Sequence, residues 1–466
     1  MTAGLSERIH VLTKRRLSYI VALCLGLIAS VIIVWPVWPG FMSFDSLYVY
    51  RESIEGVAIA QQPPIHAYLF AFFRTIGLGA GGLFFFQTAL LFCGSALIIR
   101  RFVDSTIVLV VAFALYVGGF YYFPTLLGTV IVQWKDVLTA TFFIFGAALF
   151  LEANERRSYV LLALAVFSFS CAAAARLNAI TLSIVPLVAM VVYPFGTWKA
   201  SLRTRGTMLA IVLVSLLGIN AQDRWRLPDF APLPPEYGLG ILMSWDLLGV
   251  SACEGVDLLP PEFGPQLSSD QLRSLYDYRL PDYSVMIRPG MPNPAGGYYA
   301  VHAPEIERQW RAVIPTHLGC YASHRISVFR TLLGLVNEPI LDPTTTGIDP
   351  NPFNLHTERP AEADAIEHYV MQGAATMWRR PFFLYLLAPV LAVLVVQRLG
   401  RRYAPLLLLA LSAYGYIIGL LFGAPSAPGR YPFASNVLCL LVTVICACVL
   451  AAWYVRTSRS SARSGG

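Results

Sequence analysis

Asp45 is the first charged residue after an apolar run that begins at residue 17, and it lies in the segment FMSFDSLYVY. A carboxylate at the end of a run long enough to cross a bilayer is expected at the membrane surface, where ionisable side chains commonly mark functional sites. Such a group can accept a proton from a substrate hydroxyl. The alternative is a structural role, in which Ser43 and Asp45 cap an interfacial helix.

Three further segments bring ionisable or polar side chains to the ends of apolar runs. Lys135 and Asp136 occur in VQWKDVLTATFFIFG, Arg176 and Asn178 occur in AAAARLNAI, and Arg430 occurs in FGAPSAPGRYPFASN. A lysine whose ammonium reaches the interface and an aspartate that caps a helix would explain the first pair structurally. Interfacial anchoring is the corresponding structural explanation for Arg430.

The shared position of these side chains predicts what they bind. If the apolar runs cross a membrane, all four segments emerge on the same face, so their carboxylates and cations meet there. Arginine forms bidentate contacts with phosphate, and lysine supplies a compact positive charge. The sequence therefore predicts a site for an anionic, lipid-linked substrate.

The elements that would position these residues follow from composition. The chain of 466 residues is 56% hydrophobic and 13% charged, whereas soluble domains carry about 25% charged residues. This composition excludes a disordered chain and a coiled coil. With a net charge of only +7, it also excludes a soluble nucleic-acid binder, so no nucleic-acid partner is expected. Ten runs are long enough to suggest membrane spans: 17–44, 75–99, 105–134, 137–151, 158–175, 177–198, 206–222, 381–397, 403–429 and 431–455.

The distribution of Lys and Arg predicts the orientation of these spans. Basic residues cluster in every second short loop, for example at 14–16, 100–101 and 401–402. Because positive loops remain cytoplasmic, both termini are expected in the cytoplasm. The predicted site then faces the periplasm or exterior of a multi-pass protein in the inner (plasma) membrane. The apolar run at 17–44 lacks a signal-peptide cleavage site and is interpreted as a retained first helix.

The predicted fold is therefore an all-α polytopic membrane protein of about ten transmembrane helices with an extracytoplasmic mixed α/β domain. Residues 222–380 form that domain, because they are rich in acidic residues and proline, with Pro/Gly turns between short elements. The second half of 56–73 is expected to form an interfacial helix. The predicted units are 1–221 with seven spans and catalytic loops at 36–74 and 122–136, then 222–380, 381–456 with three spans, and a cytoplasmic tail at 457–466.

Two of the eight cysteines, Cys253 and Cys320, fall in the predicted extracytoplasmic domain. In an oxidising compartment they either form a disulfide or remain two buried thiols. The chain contains no C-x-x-C or H-E-x-x-H spacing, so no metal site and no firm cofactor are predicted. A loosely held divalent cation remains compatible with the scattered carboxylates.

Several of these motifs resemble the GT-C superfamily of polytopic membrane glycosyltransferases, which use polyprenyl-phosphate sugars. The Asp-containing FMSFDSLYVY is similar to the first outer loop of that family, and QPPIHAYLF resembles the H-P-P segment that follows it. The chain departs from the oligosaccharyltransferase and protein O-mannosyltransferase branches, since it lacks a doubled acidic pair in the first loop and a W-W-D motif. Further similar segments are WKDVLTATFF, RLNA at 176–179, GRY at 429–431 and WRAVIPTHLGCYASHRISVF.

The resemblance implies an activity and a set of roles. The enzyme would transfer a sugar, with inversion, from a polyprenyl-phosphate donor to an envelope glycan or lipid acceptor. Asp45 would be the general base, with Asp136 as a second catalytic residue, and the bilayer would hold the donor's chain. The substrate-binding residues would be Lys135, Arg176, Asn178, Arg430, His66, His317 and Arg325.

A multi-span transporter or flippase of lipid-linked or small solutes is the alternative function. Such proteins usually place ionisable residues near the middle of the bilayer and often contain inverted repeats. Here the middles of the predicted spans are uncharged, and the seven spans before residue 222 are not matched by the three after residue 380. Both features favour the glycosyltransferase.

Overall fold

The structure, a computed structural model, describes residues 2–56, 63–192, 201–220, 237–261, 266–279 and 303–464. Within this part of the chain the regular elements are helices, and extended pairing is limited to two isolated bridges. The first ten helices are α1 (Thr2–Val34), α2 (Phe44–Glu55), α3 (Pro64–Thr75), α4 (Gly79–Phe102), α5 (Thr106–Tyr122), α6 (Pro124–Val130), α7 (Lys135–Arg156), α8 (Tyr159–Ala174), α9 (Ile180–Val192) and α10 (Leu202–Asn220). The remaining helices are α11 (Tyr237–Glu254), α12 (Ser269–Leu275), α13 (Ala303–Val313), α14 (Leu318–Leu332), α15 (Pro360–Ala374), α16 (Leu384–Leu399), α17 (Ala404–Gly423) and α18 (Phe433–Ser464).

The helical bundle is that of a multi-pass membrane protein. Six helices of the described chain are long and apolar enough to cross a membrane, and a seventh span is possible if α5 and α6, which are bent by 92° at their junction, form one broken span. Helices α8 and α9 are apolar but shorter. Each of the ten predicted runs contains all or part of a helix, but the count of ten spans stays a prediction. Residues 193–198 of the sixth run lie outside the described residues.

Helix α7 is the central element of the bundle. It packs against α4 on one side and α8 on another, and α4 in turn packs against α1. In the apolar part of α7, 89% of the residues are buried inside the protein. The two ends of α7 are therefore fixed by packing on several sides, which makes its first residues a rigid support for a site.

The bundle has two chemically different ends. We call the end where Asp45, Lys135, Arg176 and Arg430 lie the site end. The opposite end, which carries Arg100, Arg156 and the arginines at 401–402, is called the basic end. Among the described residues, charged side chains within the long apolar helices lie near one end or the other, as hydration of charge requires.

The described parts of 222–380 lie at the site end, where α11 to α15 are joined by irregular segments such as 333–359. Helices α11 to α14 enclose a hydrophobic cluster of their own, which includes Trp245, Leu272 and Ile306. Helix α15 and the end of α14 instead join the core of the bundle. The strands expected here are absent from 237–261, 266–279 and 303–380, where the segments between turns form helices or irregular loops. Helix α12, with a Ser268–Gln271 capping box, is an example.

One alternative that the sequence left open is resolved, and one local prediction is confirmed. Cys253 at the end of α11 and Cys320 in α14 form a disulfide, with their Cα atoms 5.7 Å apart. The second half of 56–73 forms a helix, since α3 begins at Pro64, a residue suited to the first turn. Residues 57–62 lie outside the described part of the chain.

Candidate functional site

A short backbone frame holds the segments that precede Asp45 and Lys135 side by side. The amide of Phe41 donates to the carbonyl of Ile131 at 2.9 Å, and the amide of Gln133 donates to the carbonyl of Phe41 at 2.9 Å. These bonds satisfy backbone groups that would otherwise be buried without partners. The first turns of α2 and α7 are therefore held close to each other.

Gly40 makes the turn into this frame possible. Its φ of 103° belongs to a region that side chains disfavour. A Cβ at this position would also lie 2.7 Å from the ring of Phe84. Any other residue at position 40 would therefore strain the backbone and clash with Phe84.

Asp45 and Arg430 form the ion pair that joins the first and last loops of the site end. An Nη atom of Arg430 donates to Asp45 Oδ2 at 2.6 Å, although the residues are 385 positions apart in the chain. The guanidinium also lies over the ring of Trp134, 4.5 Å from its centroid. Trp134 is itself fixed, because its indole N–H donates to Ser43 Oγ at 2.8 Å. The arginine is thus held by a carboxylate and by a cation–π contact.

The cations around Asp45 determine its ionisation. Burial raises the pKa of this carboxyl, but the charges of Arg430, Lys135 and Arg176 outweigh it and hold the pKa below the ordinary value. Asp45 is therefore ionised at neutral pH. A carboxylate with a lowered pKa and a bound guanidinium is a weak proton acceptor, and it is well suited to orienting Arg430.

A second ion pair lies beside the first. Asp136 in the first turn of α7 pairs with Arg176, and the two side chains are only 1% and 10% exposed. The Arg176 guanidinium lies over the Tyr431 ring at 4.0 Å from its centroid, so it adjoins the Arg430 loop. Asn178 follows in the next turn beside Gly423, and its side-chain nitrogen and oxygen have no hydrogen-bond partner among the described residues.

A small cavity separates these groups. Its volume is about 10 Å³, which is room for roughly one water molecule. His66 from α3 is 1% exposed, and neither of its ring nitrogens has a hydrogen-bond partner within the described chain. Burial and the charge of Lys135 lower the pKa of His66 to about 3, so the ring is neutral. The cavity is lined by Asp45, Ser46, His66, Gln133, Trp134, Lys135 and Arg430.

Four of the predicted substrate-binding residues do not line this cavity: Arg176 and Asn178, described above, and His317 and Arg325. His317 immediately precedes α14, and one of its ring nitrogens contacts the carbonyl of Val313, the last residue of α13, at 3.0 Å. Arg325 lies inside the α11–α14 unit, where it pairs with the buried Asp246 at 2.5 Å. Their predicted role in substrate binding stays a prediction. Arg325 keeps an indirect link to the site, since it donates to the carbonyl of Ala424 at 2.7 Å.

Some residues at or near the cavity had not been predicted from the sequence. Glu52 is 2% exposed and close enough to Lys135 to interact with its charge. A signal for Glu52 was present, because it follows Asp45 by seven residues and so lies on the same face of α2. Trp134 stacks on Arg430 and Tyr431 stacks on Arg176, and neither contact follows from the sequence pattern.

No group of three or more His, Cys, Asp or Glu side chains in the described residues is arranged to hold a metal ion. Comparisons with protein-family models, curated proteins and solved structures gave no match.

Proposed function

We propose that this protein is a membrane glycosyltransferase that moves a sugar from a polyprenyl-phosphate donor to a glycan or lipid acceptor. The observation that supports this proposal is the meeting of Asp45, His66, Lys135 and Arg430, from three loops of the site end, around one cavity. Such a site can bind a phosphate carried by a membrane lipid, because it lies where the bundle's apolar helices end.

The cations supply the chemistry that a departing lipid phosphate needs. Lys135 occupies the first turn of α7, where its charge opposes the helix dipole and is therefore unfavourable for the helix alone. An anion at this helix start would interact favourably with both the dipole and Lys135. Positioned donors of this kind contribute about 2.7–4 kcal/mol each to transition-state stabilisation.

The carboxylates hold the arginines in position. Asp45 orients Arg430, and Asp136 orients Arg176. A guanidinium has five N–H donors, so each arginine can keep its carboxylate while it presents other donors to a phosphate. Preorganised arginines lose less side-chain entropy when the anion binds.

The proposed topology has ten spans, cytoplasmic termini and the site end at the extracytoplasmic face. The arginines of the basic end support this orientation through the positive-inside rule. The site's position at helix ends also differs from the mid-bilayer position expected of a carrier.

The test uses the full-length protein purified into liposomes with a polyprenyl-phosphate-linked radiolabelled sugar and acceptor lipid. We expect labelled acceptor and free polyprenyl phosphate to appear in equal amounts. Movement of the intact donor between leaflets without sugar transfer would instead identify a flippase and contradict the proposal.

A further inference from the structure

A third carboxylate, from a distant part of the chain, lies at the same site. The carbonyl of Leu341 accepts a hydrogen bond from the amide of Gly429 at 2.7 Å. This bond places the next residue of each segment, Asp342 and Arg430, close together. Asp342 is near enough to interact electrostatically with both Arg430 and Asp45.

The loop that carries Asp342 packs closely against α6 and against the segment that precedes Arg430. The backbone oxygen of Pro343 comes so close to Gly128 of α6 that a Cβ at Gly128 would clash with it. A Cβ at Gly429 would come within 2.5 Å of Ile340. Asp342 itself has a φ of 44°, in the left-handed region that few residues other than glycine, asparagine and aspartate adopt. Strained positions of this kind persist where the surrounding structure fixes them, and they concentrate at functional sites.

The three aspartates differ in whether their carboxylates are paired with an arginine. Asp45 accepts from Arg430, and Asp136 is buried against Arg176. The Asp342 side chain is exposed, and within the described chain it makes no hydrogen bond and no ion pair. An acceptor hydroxyl arriving from solution can therefore reach Asp342.

We propose that Asp342 is the general base of the sugar transfer, a role that rests on the proposed function. The acceptor hydroxyl oxygen forms a bond to the anomeric carbon, and its proton moves to a carboxylate oxygen of Asp342. The bond between the anomeric carbon and the phosphate oxygen breaks at the same time. The electron pair of that bond leaves with the polyprenyl phosphate, which the cations of the site receive.

The ionisation of Asp342 agrees with this role. Although Asp342 keeps access to solvent, the protein around it partly desolvates its carboxyl and raises the pKa. Asp45 raises the pKa further, and Arg430 opposes both without cancelling the effect. A base is more effective as its pKa approaches the working pH. Because the base must be unprotonated, turnover should fall as the pH is lowered through this raised pKa.

The test compares the pH dependence of turnover for the full-length wild type, Asp342→Asn and Asp45→Asn in liposomes. Asparagine tolerates positive φ, so Asp342→Asn removes the charge of the side chain and preserves the backbone conformation. We expect kcat to fall about 10²–10⁴-fold in Asp342→Asn with little change in the donor KM. The acidic limb of the pH profile should disappear. Asp45→Asn should mainly raise the donor KM, because Arg430 loses its carboxylate.

Asp349→Asn, in the same loop, is the matched control and should behave like the wild type. The base assignment is overturned if Asp342→Asn keeps both wild-type kcat and the acidic limb while the wild type transfers sugar. If the wild type itself transfers no sugar from any polyprenyl-phosphate donor, the proposed function fails. That result differs from failure of the base assignment alone, in which the wild type still transfers sugar. A thermal unfolding midpoint equal to that of the wild type verifies that each variant is folded.

Discussion

The two ends of α7 each hold a buried ionic cluster, and the clusters are built differently. At the basic end, Glu152 is 8% exposed and both of its carboxylate oxygens have donors. Arg100 donates to one oxygen, and Tyr19 and Arg156 donate to the other. At the site end, His66 is buried as deeply but has no partner within the described chain at either ring nitrogen.

The difference separates a structural cluster from a binding cluster. The Glu152 group links α1, α4 and α7, and a carboxylate with every oxygen satisfied has little capacity left for a ligand. The site-end group lies about 26 Å away at 1.5 Å per residue, since Glu152 follows Lys135, the first residue of α7, by 17 positions. Its unsatisfied histidine and small cavity leave groups that a ligand can engage.

The largest expected effect is on stability at the basic end. Replacing Glu152 with Ala leaves Arg100 buried without its carboxylate, which we expect to lower the free energy of unfolding by about 3–5 kcal/mol. Turnover per folded molecule should be unchanged. Unfolding in mixed detergent measures the first quantity, and active-site-normalised turnover measures the second. A loss of turnover without a loss of stability would show that Glu152 serves function rather than stability, which contradicts the comparison.

The next effect is on activity at the site end. We expect Lys135→Gln to lower kcat/KM about 10²–10³-fold, because it removes a cation that stabilises the leaving phosphate. The thermal midpoint of Lys135→Gln should stay within a few degrees of that of the wild type. The control is Glu152→Gln, which also neutralises one charge but at the other end of the helix. Equal activity losses in the two variants would show that the ends are not functionally distinct.

The smallest effect concerns His66. Since its pKa is about 3, the ring carries no charge between pH 5 and pH 9. We expect His66→Gln to raise the donor KM by up to about tenfold, the value of one hydrogen bond. The shape of the pH profile should not change. A shifted profile would show instead that His66 titrates during turnover.

The convergence of loops was predictable from the sequence, because alternate ends of apolar runs share a membrane face. Asp45, Lys135, Arg176 and Arg430 were singled out in this way, and the structure brings them together. Their pairing was not predictable. The Asp45–Arg430 contact depends on how α2 and the loop before α18 fold against the bundle, and no local pattern encodes that.

Other errors have local physical reasons. Pro and Gly turns in 222–380 suggested strands, but turns separate short helices equally well. The pairing of Arg325 was not predictable either, because its partner Asp246 lies 79 positions earlier in α11 and no spacing rule joins them. Asp342 carried no recognisable signal, since it depends on a left-handed backbone and on two distant glycines.

The most direct test of the central claim measures lipid binding to the purified full-length protein. Polyprenyl phosphate and the corresponding uncharged polyprenol are compared for the wild type, Lys135→Gln and Glu152→Gln. If the site end recognises the lipid phosphate, the wild type and Glu152→Gln should bind polyprenyl phosphate at least about tenfold more tightly than polyprenol, an energy of about 1.4 kcal/mol. Lys135→Gln should lose that preference. Equal binding of both lipids by the wild type, or loss of the preference in Glu152→Gln alone, would contradict the account.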